Sequence, residues 1–296
     1  MDEKILIQDL NEDLLSKKNI QVKLARLDLL HPHYGGNKWF KLKYHIEELK
    51  KSNKASLVTF GGAYSNHIYA TAAICNDLNI HAVAYVRGEQ PKELNTVLQF
   101  AKSKNMELNF ISRADYDLKN SSSFIQAIQL KYPDAYIIPE GGYDTLGVKG
   151  AKDILKNIDT NYNYVMCASG TFTTACGIAL SLSKEQTLIS IPVIKAKDAG
   201  VSHIQNLLLD SPDTIESTLD TIIFNEDYHF GGYAKKTNQL IAFINNIYIK
   251  HHIYLDEVYT AKLLFALYDL VEKNYFKANI QILIIMSGVG KWNMNK

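Results

Sequence analysis

The stretch Tyr164-Val165-Met166-Cys167-Ala168-Ser169-Gly170-Thr171-Phe172-Thr173-Thr174 carries a short apolar run, a glycine-centred polar loop and the entry to a second apolar series over 175–182. Four apolar residues ended by a turn signal read as a strand, and the small residues beyond the loop read as a helix. The same unit stands earlier in the chain, where Leu57-Val58-Thr59-Phe60 runs into Gly61-Gly62-Ala63-Tyr64-Ser65-Asn66-His67. Working outward, further strands are expected at 81–86, 107–111 and 135–138, and then at 188–191, 221–224 and 280–285, with helical periodicity between them. Alternation of this kind predicts an α/β fold of two doubly wound open sheets. Several runs are continuously apolar, as parallel strands are when helices cover both faces. The polar loop Pro139-Glu140-Gly141-Gly142-Tyr143-Asp144 offers a seam between the two series.

With 296 residues the chain can bury a substantial core, in two modest domains or one large unit, and two are expected. Its 32 basic and 31 acidic residues leave a net charge of +1, which gives no footprint for nucleic acid or an anionic membrane. A small-molecule partner is expected instead. Cys75, Cys167 and Cys176 are odd in number and lack the close pairing of a zinc site or disulfide framework, so no metal and a reducing cytoplasm are expected. Met1-Asp2-Glu3-Lys4 begins with mixed charge and no long apolar run follows, so neither a secretory signal nor a membrane span is expected.

Gly35-Gly36-Asn37-Lys38 places a lysine at a helix mouth, with Asn37 able to cap the helix and Trp39, Leu42, Ile46 and Leu49 forming its apolar stripe. An ordinary lysine has a pKa near 10.4, so roughly one in a thousand or fewer is neutral at pH 7. A helix N-terminus, desolvation and neighbouring Lys41 would all lower that value. A solvated surface lysine is the alternative. The loop of Ser65, Asn66 and His67 can bring backbone N–H groups and a hydroxyl to an anion, or be an ordinary capped turn. Ser169, Gly170, Thr171, Phe172, Thr173 and Thr174 read as a phosphate cup that needs no lysine, unlike a Walker loop. No glycine spacing here fits a dinucleotide fingerprint. One amine able to form an imine, beside separate anion cradles, points to pyridoxal phosphate chemistry.

Taken in order, Gly35-Gly36-Asn37-Lys38, Gly61 to His67, Pro139-Glu140-Gly141-Gly142, Ser169-Gly170-Thr171 and Asp256-Glu257-Val258-Tyr259-Thr260-Ala261-Lys262 resemble the 1-aminocyclopropane-1-carboxylate deaminase and D-cysteine desulfhydrase family. The resemblance spans nearly the whole chain. It implies a pyridoxal 5'-phosphate enzyme of the tryptophan synthase β-like fold (type II), a homodimer, with a smaller domain of residues 49–142 inserted into a larger one of residues 1–48 and 143–296. It implies that Lys38 is the imine-forming lysine, Ser65 the active-site hydroxyl, and Asn66 the contact to the cofactor's ring oxygen. Ser169 to Thr174 would hold the phosphate. Ser65, Asn66 and His67 would meet the substrate, and Tyr233 and Tyr259 would be active-site tyrosines. Thr260 would face the pyridine nitrogen, where the desulfhydrase branch has threonine and the deaminase branch glutamate. His67 also follows the desulfhydrase pattern.

Phe40 departs from the family's usual arginine, Tyr64 from a glutamine, Thr173 from a glycine, and Met286-Ser287-Gly288-Val289-Gly290 from the usual His-Thr-Gly-Gly. The expected activity is β-elimination from D-cysteine or a related small amino acid, giving pyruvate, ammonia and sulfide. The alternatives are cyclopropane ring opening by a deaminase and a non-catalytic protein that binds the cofactor.

Overall fold

The computed structural model describes residues 3–156, 158, 161–195 and 198–288. Among these residues ten strands form two sheets. β1 (Leu6–Asp9), β2 (Ile20–Arg26), β7 (Tyr164–Ser169), β8 (Thr187–Pro192), β9 (Ile222–Phe224) and β10 (Ile280–Ile285) make the larger, ordered β1-β2-β10-β7-β8-β9. β3 (Ser56–Gly62), β4 (His81–Arg87), β5 (Glu107–Ile111) and β6 (Ala135–Ile137) make the smaller, ordered β5-β4-β3-β6. Every pairing is parallel except β1 with β2.

β1 and β2 are the two strands that continuous apolar runs do not reveal. β2 alternates Ile20, Val22 and Leu24 with Gln21 and Lys23, and β1 is a four-residue edge strand. A single antiparallel edge makes the larger sheet mixed. The other strands lie where expected, some unchanged, some extended by one or two residues at an end, as at Ser56–Gly62 and Tyr164–Ser169, and some shortened by one, as at Ala135–Ile137 and Ile222–Phe224.

Continuous apolarity has the cause inferred for it. Along β10, Ile280, Ile282 and Ile284 enter one core with helix Thr260–Glu272, while Leu283 and Ile285 enter the opposite core with helix Thr173–Ala179. β3 divides likewise, with Leu57 on one face and Val58 and Phe60 on the other. Such a sheet has no face left for water, so its strands tolerate few polar residues.

Helix Asn37–Lys51 joins the two halves. Phe40 is fully buried in the core of the larger sheet, and Leu42, Ile46 and Leu49 are buried in that of the smaller. A domain cut at residue 48 therefore falls inside a helix that serves both cores. The helix mouth consequently opens at the line where the two sheets meet. Among the described residues no helix is long and apolar enough to cross a membrane, and no group of three or more His, Cys, Asp and Glu could hold a metal.

Candidate active site

Lys38 occupies the second position of its helix, but Asn37 is not the cap. Gly36 is, at φ 107°, and Asn37 is the first helical residue. A side chain at Gly36 would be strained by that angle, and its Cβ would stand 2.3 Å from the carbonyl oxygen of Ser287. That carbonyl accepts from the Asn37 N–H at 2.9 Å, so the segment ending the described chain closes the helix mouth. Freed from capping, the Asn37 amide donates to Thr174 Oγ1 at 2.9 Å and accepts from Lys38 Nζ at 3.1 Å. Lys38 is thus tied through Asn37 to the first turn of helix Thr173–Ala179, which follows β7.

Burial lowers the Lys38 amine to about 8, against an upward pull from Asp256. Desolvation is the governing cause, and Lys38 and Lys41 repel each other's charge. Lys41 is buried and held well below the ordinary lysine range, first by desolvation and then by the charge of Lys38. Its Nζ donates to Thr171 Oγ1 at 3.2 Å.

Ser65 caps helix Asn66–Asp77, its Oγ accepting from the N–H groups of His67 and Ile68 at 3.2 Å each. Both roles read from sequence, cap and site hydroxyl, fall on one atom, whose own hydrogen remains available to a ligand. His67 is buried, and its Nε2 meets Thr59 Oγ1 at 2.8 Å. Thr59 spends its hydrogen on the carbonyl of Ile138 at 3.1 Å, so His67 must donate from Nε2 and keep Nδ1 as an acceptor. Burial, then the charges of Lys41 and Lys38, hold this ring well below the usual histidine value, in the neutral state. Among the described residues neither His67 Nδ1 nor Asn66 Oδ1 has a hydrogen-bond partner.

One cavity of about 470 Å³ gathers most of the expected residues. Lys38, Ser65, Asn66, His67, Ser169, Gly170, Thr171, Phe172, Thr174, Tyr233 and Tyr259 all line it. Phe172, at φ 58°, caps helix Thr173–Ala179 in the left-handed region, an uncommon conformation for a bulky residue, stacked on His203 with ring centroids 5.3 Å apart. Tyr233 and Tyr259 meet edge to face at 6.2 Å, and burial raises both phenols above their ordinary range, so they enter as neutral donors.

Two expected residues lie elsewhere. Thr173 is fully buried with its hydroxyl 3.1 Å from that of Thr171. Thr260 is buried too, its hydroxyl donating to Asp256 Oδ2 at 2.8 Å and accepting from the Asp256 N–H at 2.9 Å. The Asp256 carboxylate accepts also from the N–H groups of Val258, Tyr259 and Thr260. Both polar groups are turned onto their own turn rather than toward the cavity. Phe40, fully buried, does not line it either. Val289 and Gly290 lie outside the described residues.

Lys41, Arg87 and Glu140 also line the cavity and were not singled out as site residues from sequence. The signals were there. Lys41 is three residues from Lys38, on the same helical face. Arg87 ends β4, and ligands of open parallel sheets gather at the carboxyl ends of strands. Two lysine amines and an arginine against one carboxylate give the lining a surplus of donors suited to an anion.

A pyridoxal phosphate group fits this lining by its donors. A cup of hydroxyl and N–H groups beside Lys41 suits a phosphate, and the unpartnered Asn66 amide offers a polar contact. Gly170 keeps the cup open, since an added Cβ would stand 3.1 Å from the Tyr259 hydroxyl.

Comparison with known proteins agrees. The model of the family described as "Pyridoxal-phosphate dependent enzyme" matches residues 12–288. A protein of Pyrococcus horikoshii named "Putative 1-aminocyclopropane-1-carboxylate deaminase" is 26% identical over 276 residues, 90% of this chain and 84% of its own. A protein of the same name from Pyrococcus furiosus is 28% identical over 278 residues, 90% of this chain and 83% of its own. A solved structure described as an ACC deaminase homologue superposes with a TM-score of 0.81 at 24% identity, covering 97% of this chain and 90% of that one.

Proposed function

The chain belongs to the pyridoxal-phosphate dependent enzyme family, in its tryptophan synthase β-like fold, and on that premise we propose that it eliminates the β-substituent of D-cysteine or a related small amino acid. From D-cysteine the released enamine takes up one water, and the products are pyruvate, ammonia and sulfide. The observation that carries this reading is the convergence of Lys38, the Ser65 hydroxyl and the donors of Ser169, Gly170, Thr171 and Thr174 on one cavity between the two sheets. Bound there, pyridoxal phosphate would supply the electron sink for charge left at the amino acid's α-carbon.

The chain's own residues divide the remaining work. Ser169, Gly170, Thr171 and Thr174, with Lys41, would hold the phosphate. Lys38 would carry the cofactor and, once displaced by the substrate amine, take the α-proton at Nζ; an amine near 8 is neutral often enough at physiological pH to do so. Ser65 and the N–H groups around it would hold the substrate carboxylate, and Asn66 the ring oxygen. Neutral His67 Nδ1 would accept from a donor on the substrate. The two tyrosines would close the outer side and donate to the departing sulfur.

β-Elimination is favoured over ring opening because position 260 is threonine and the neighbouring Asp256 carboxylate is saturated by its own turn. A ring nitrogen without a carboxylate partner is a weaker electron sink, sufficient for a good β-leaving group and less so for opening a carbocycle. The second reading, 1-aminocyclopropane-1-carboxylate deamination, is favoured by the names of the Pyrococcus relatives. The deciding measurement compares kcat/KM for D-cysteine, L-cysteine and 1-aminocyclopropane-1-carboxylate, with sulfide and 2-oxo acid as separate readouts. D-cysteine should lead; a clear advantage for the cyclopropane substrate would establish the second reading, and turnover of none would leave only cofactor binding.

A further inference from the structure

Lys262 is fully buried in helix Thr260–Glu272 and does not line the cavity. Its Nζ donates to the carbonyl oxygens of His229 at 2.8 Å and Gly232 at 2.9 Å. These two carbonyls bracket a turn whose backbone is left-handed at Phe230 (φ 53°), Gly231 (φ 93°), Gly232 (φ 123°) and, just beyond, Ala234 (φ 56°). Non-glycine residues hold that conformation only where their surroundings impose it. The turn's local bonds are few: Gly231 N–H to His229 Nδ1 at 2.8 Å, Gly232 N–H to the His229 carbonyl at 3.0 Å, and Lys235 N–H to the Gly232 carbonyl at 3.2 Å. Both carbonyls in that set are also the acceptors of Lys262.

Tyr233 follows the turn directly. It is half exposed, so packing alone holds it loosely, yet its ring stands edge to face with Tyr259 in the cavity wall. A buried ammonium is costly to desolvate unless its hydrogens are matched, and here the matching acceptors are the carbonyls that shape this turn. We propose that Lys262 is a positioning residue: its ammonium clamps the 229–234 turn and thereby holds Tyr233 on the substrate side of the cavity. The link to turnover rests on the reading of that cavity as the amino-acid site; the clamp itself does not.

The test uses the cofactor-loaded full chain. Lys235 and Lys236 are exposed just beyond the turn and form a tryptic site. Lys262→Met keeps the apolar stem and removes the donors, so cleavage there should accelerate about tenfold or more while the melting temperature changes little. Unchanged cleavage would overturn the clamp. If that variant does not fold, hydrogen exchange of the parent decides: the Gly232 and Lys235 amides should be protected well beyond open-loop rates, and free exchange at both would overturn it equally. The link to Tyr233 is read in a double-mutant cycle, in which Lys262→Met raises the amino-acid KM several-fold in the parent and little in Tyr233→Phe. Equal increases in both backgrounds would refute that link. A parent that turns over no amino acid would sink the proposed reaction while the cleavage and exchange arms still judge the clamp.

Discussion

Lys38 and Ser65 are the residues on which chemistry should hinge, and each makes a separable prediction. Borohydride reduction of the loaded protein followed by peptide mapping should place the pyridoxyl group on Lys38; recovery on Lys41, whose amine is directed at Thr171, would refute the assignment. Because burial brings the Lys38 amine to about 8, cofactor uptake by the apoprotein should fall about tenfold per pH unit below 8, as the reactive neutral amine is protonated, and level off above it. An uptake rate still climbing toward pH 10 would show an ordinary solvated lysine. Ser65→Ala should lose most turnover yet retain the cofactor, with a loss of about 1 kcal/mol in stability because the same Oγ caps helix Asn66–Asp77. Parent-level turnover in that variant would reduce Ser65 to a cap. These residue types at these places were legible in the chain. Which of the causes read for the lysine's low pKa would dominate was not, because desolvation depends on what the fold packs around Nζ.

At the scale of elements, the strand, loop and helix around Ser169 to Thr174 form a donor cup, and helix Asn37–Lys51 is pressed against helix Thr145–Lys152 to face it. Replacing Thr171 and Thr174 together by valine should weaken pyridoxal phosphate about tenfold or more, since hydrogen bonds to charged groups contribute about 1.5–3 kcal/mol each. Equilibrium dialysis would check this, and an unchanged dissociation constant would remove the cup from the phosphate. The helix contact has its own test. A Cβ at Gly150 would stand 1.7 Å from the Phe40 carbonyl oxygen, so Gly150→Ala must push the two helices apart. Overpacking of this kind costs about 1–3 kcal/mol or more, and here it should also displace Lys38. Urea unfolding should show the loss of stability, and cofactor affinity should fall with it; a variant as stable as the parent would mean the helices yield freely. Thr173 and Thr260, expected at the site, do not line the cavity. A loop can be located from glycine and hydroxyl residues, but which hydroxyls face the ligand is decided by backbone angles such as the left-handed Phe172, and by the turn that draws Thr260 onto Asp256.

Across the whole molecule, the cavity takes its walls from both sheets, so cofactor should stabilise them together. At a hundredfold excess over the dissociation constant the gain is about 2.7 kcal/mol. Calorimetry should show a single transition moving upward with added pyridoxal phosphate; a second transition that ignores the cofactor would mean that the smaller sheet unfolds independently of the site. The α/β class, eight of the ten strands of the described residues, and the places of Lys38, Ser65 and the Ser169 to Thr174 loop were determined by local sequence, because apolar runs, glycine loops and caps act through neighbours a few residues apart. β1 and β2 escaped for a local reason of their own, one being short and the other alternating at a sheet position where runs were sought. Tertiary structure alone decided that Lys38, Ser65, Thr171 and Tyr233 share one cavity, that Lys41 and Arg87 join them, that Phe40 does not, and that Lys262 reaches back to the turn before Tyr233. Those facts depend on which strands lie side by side and on what each buried atom meets, and both are set by contacts between residues up to a hundred or more positions apart, as in the bond from Asn37 to Thr174.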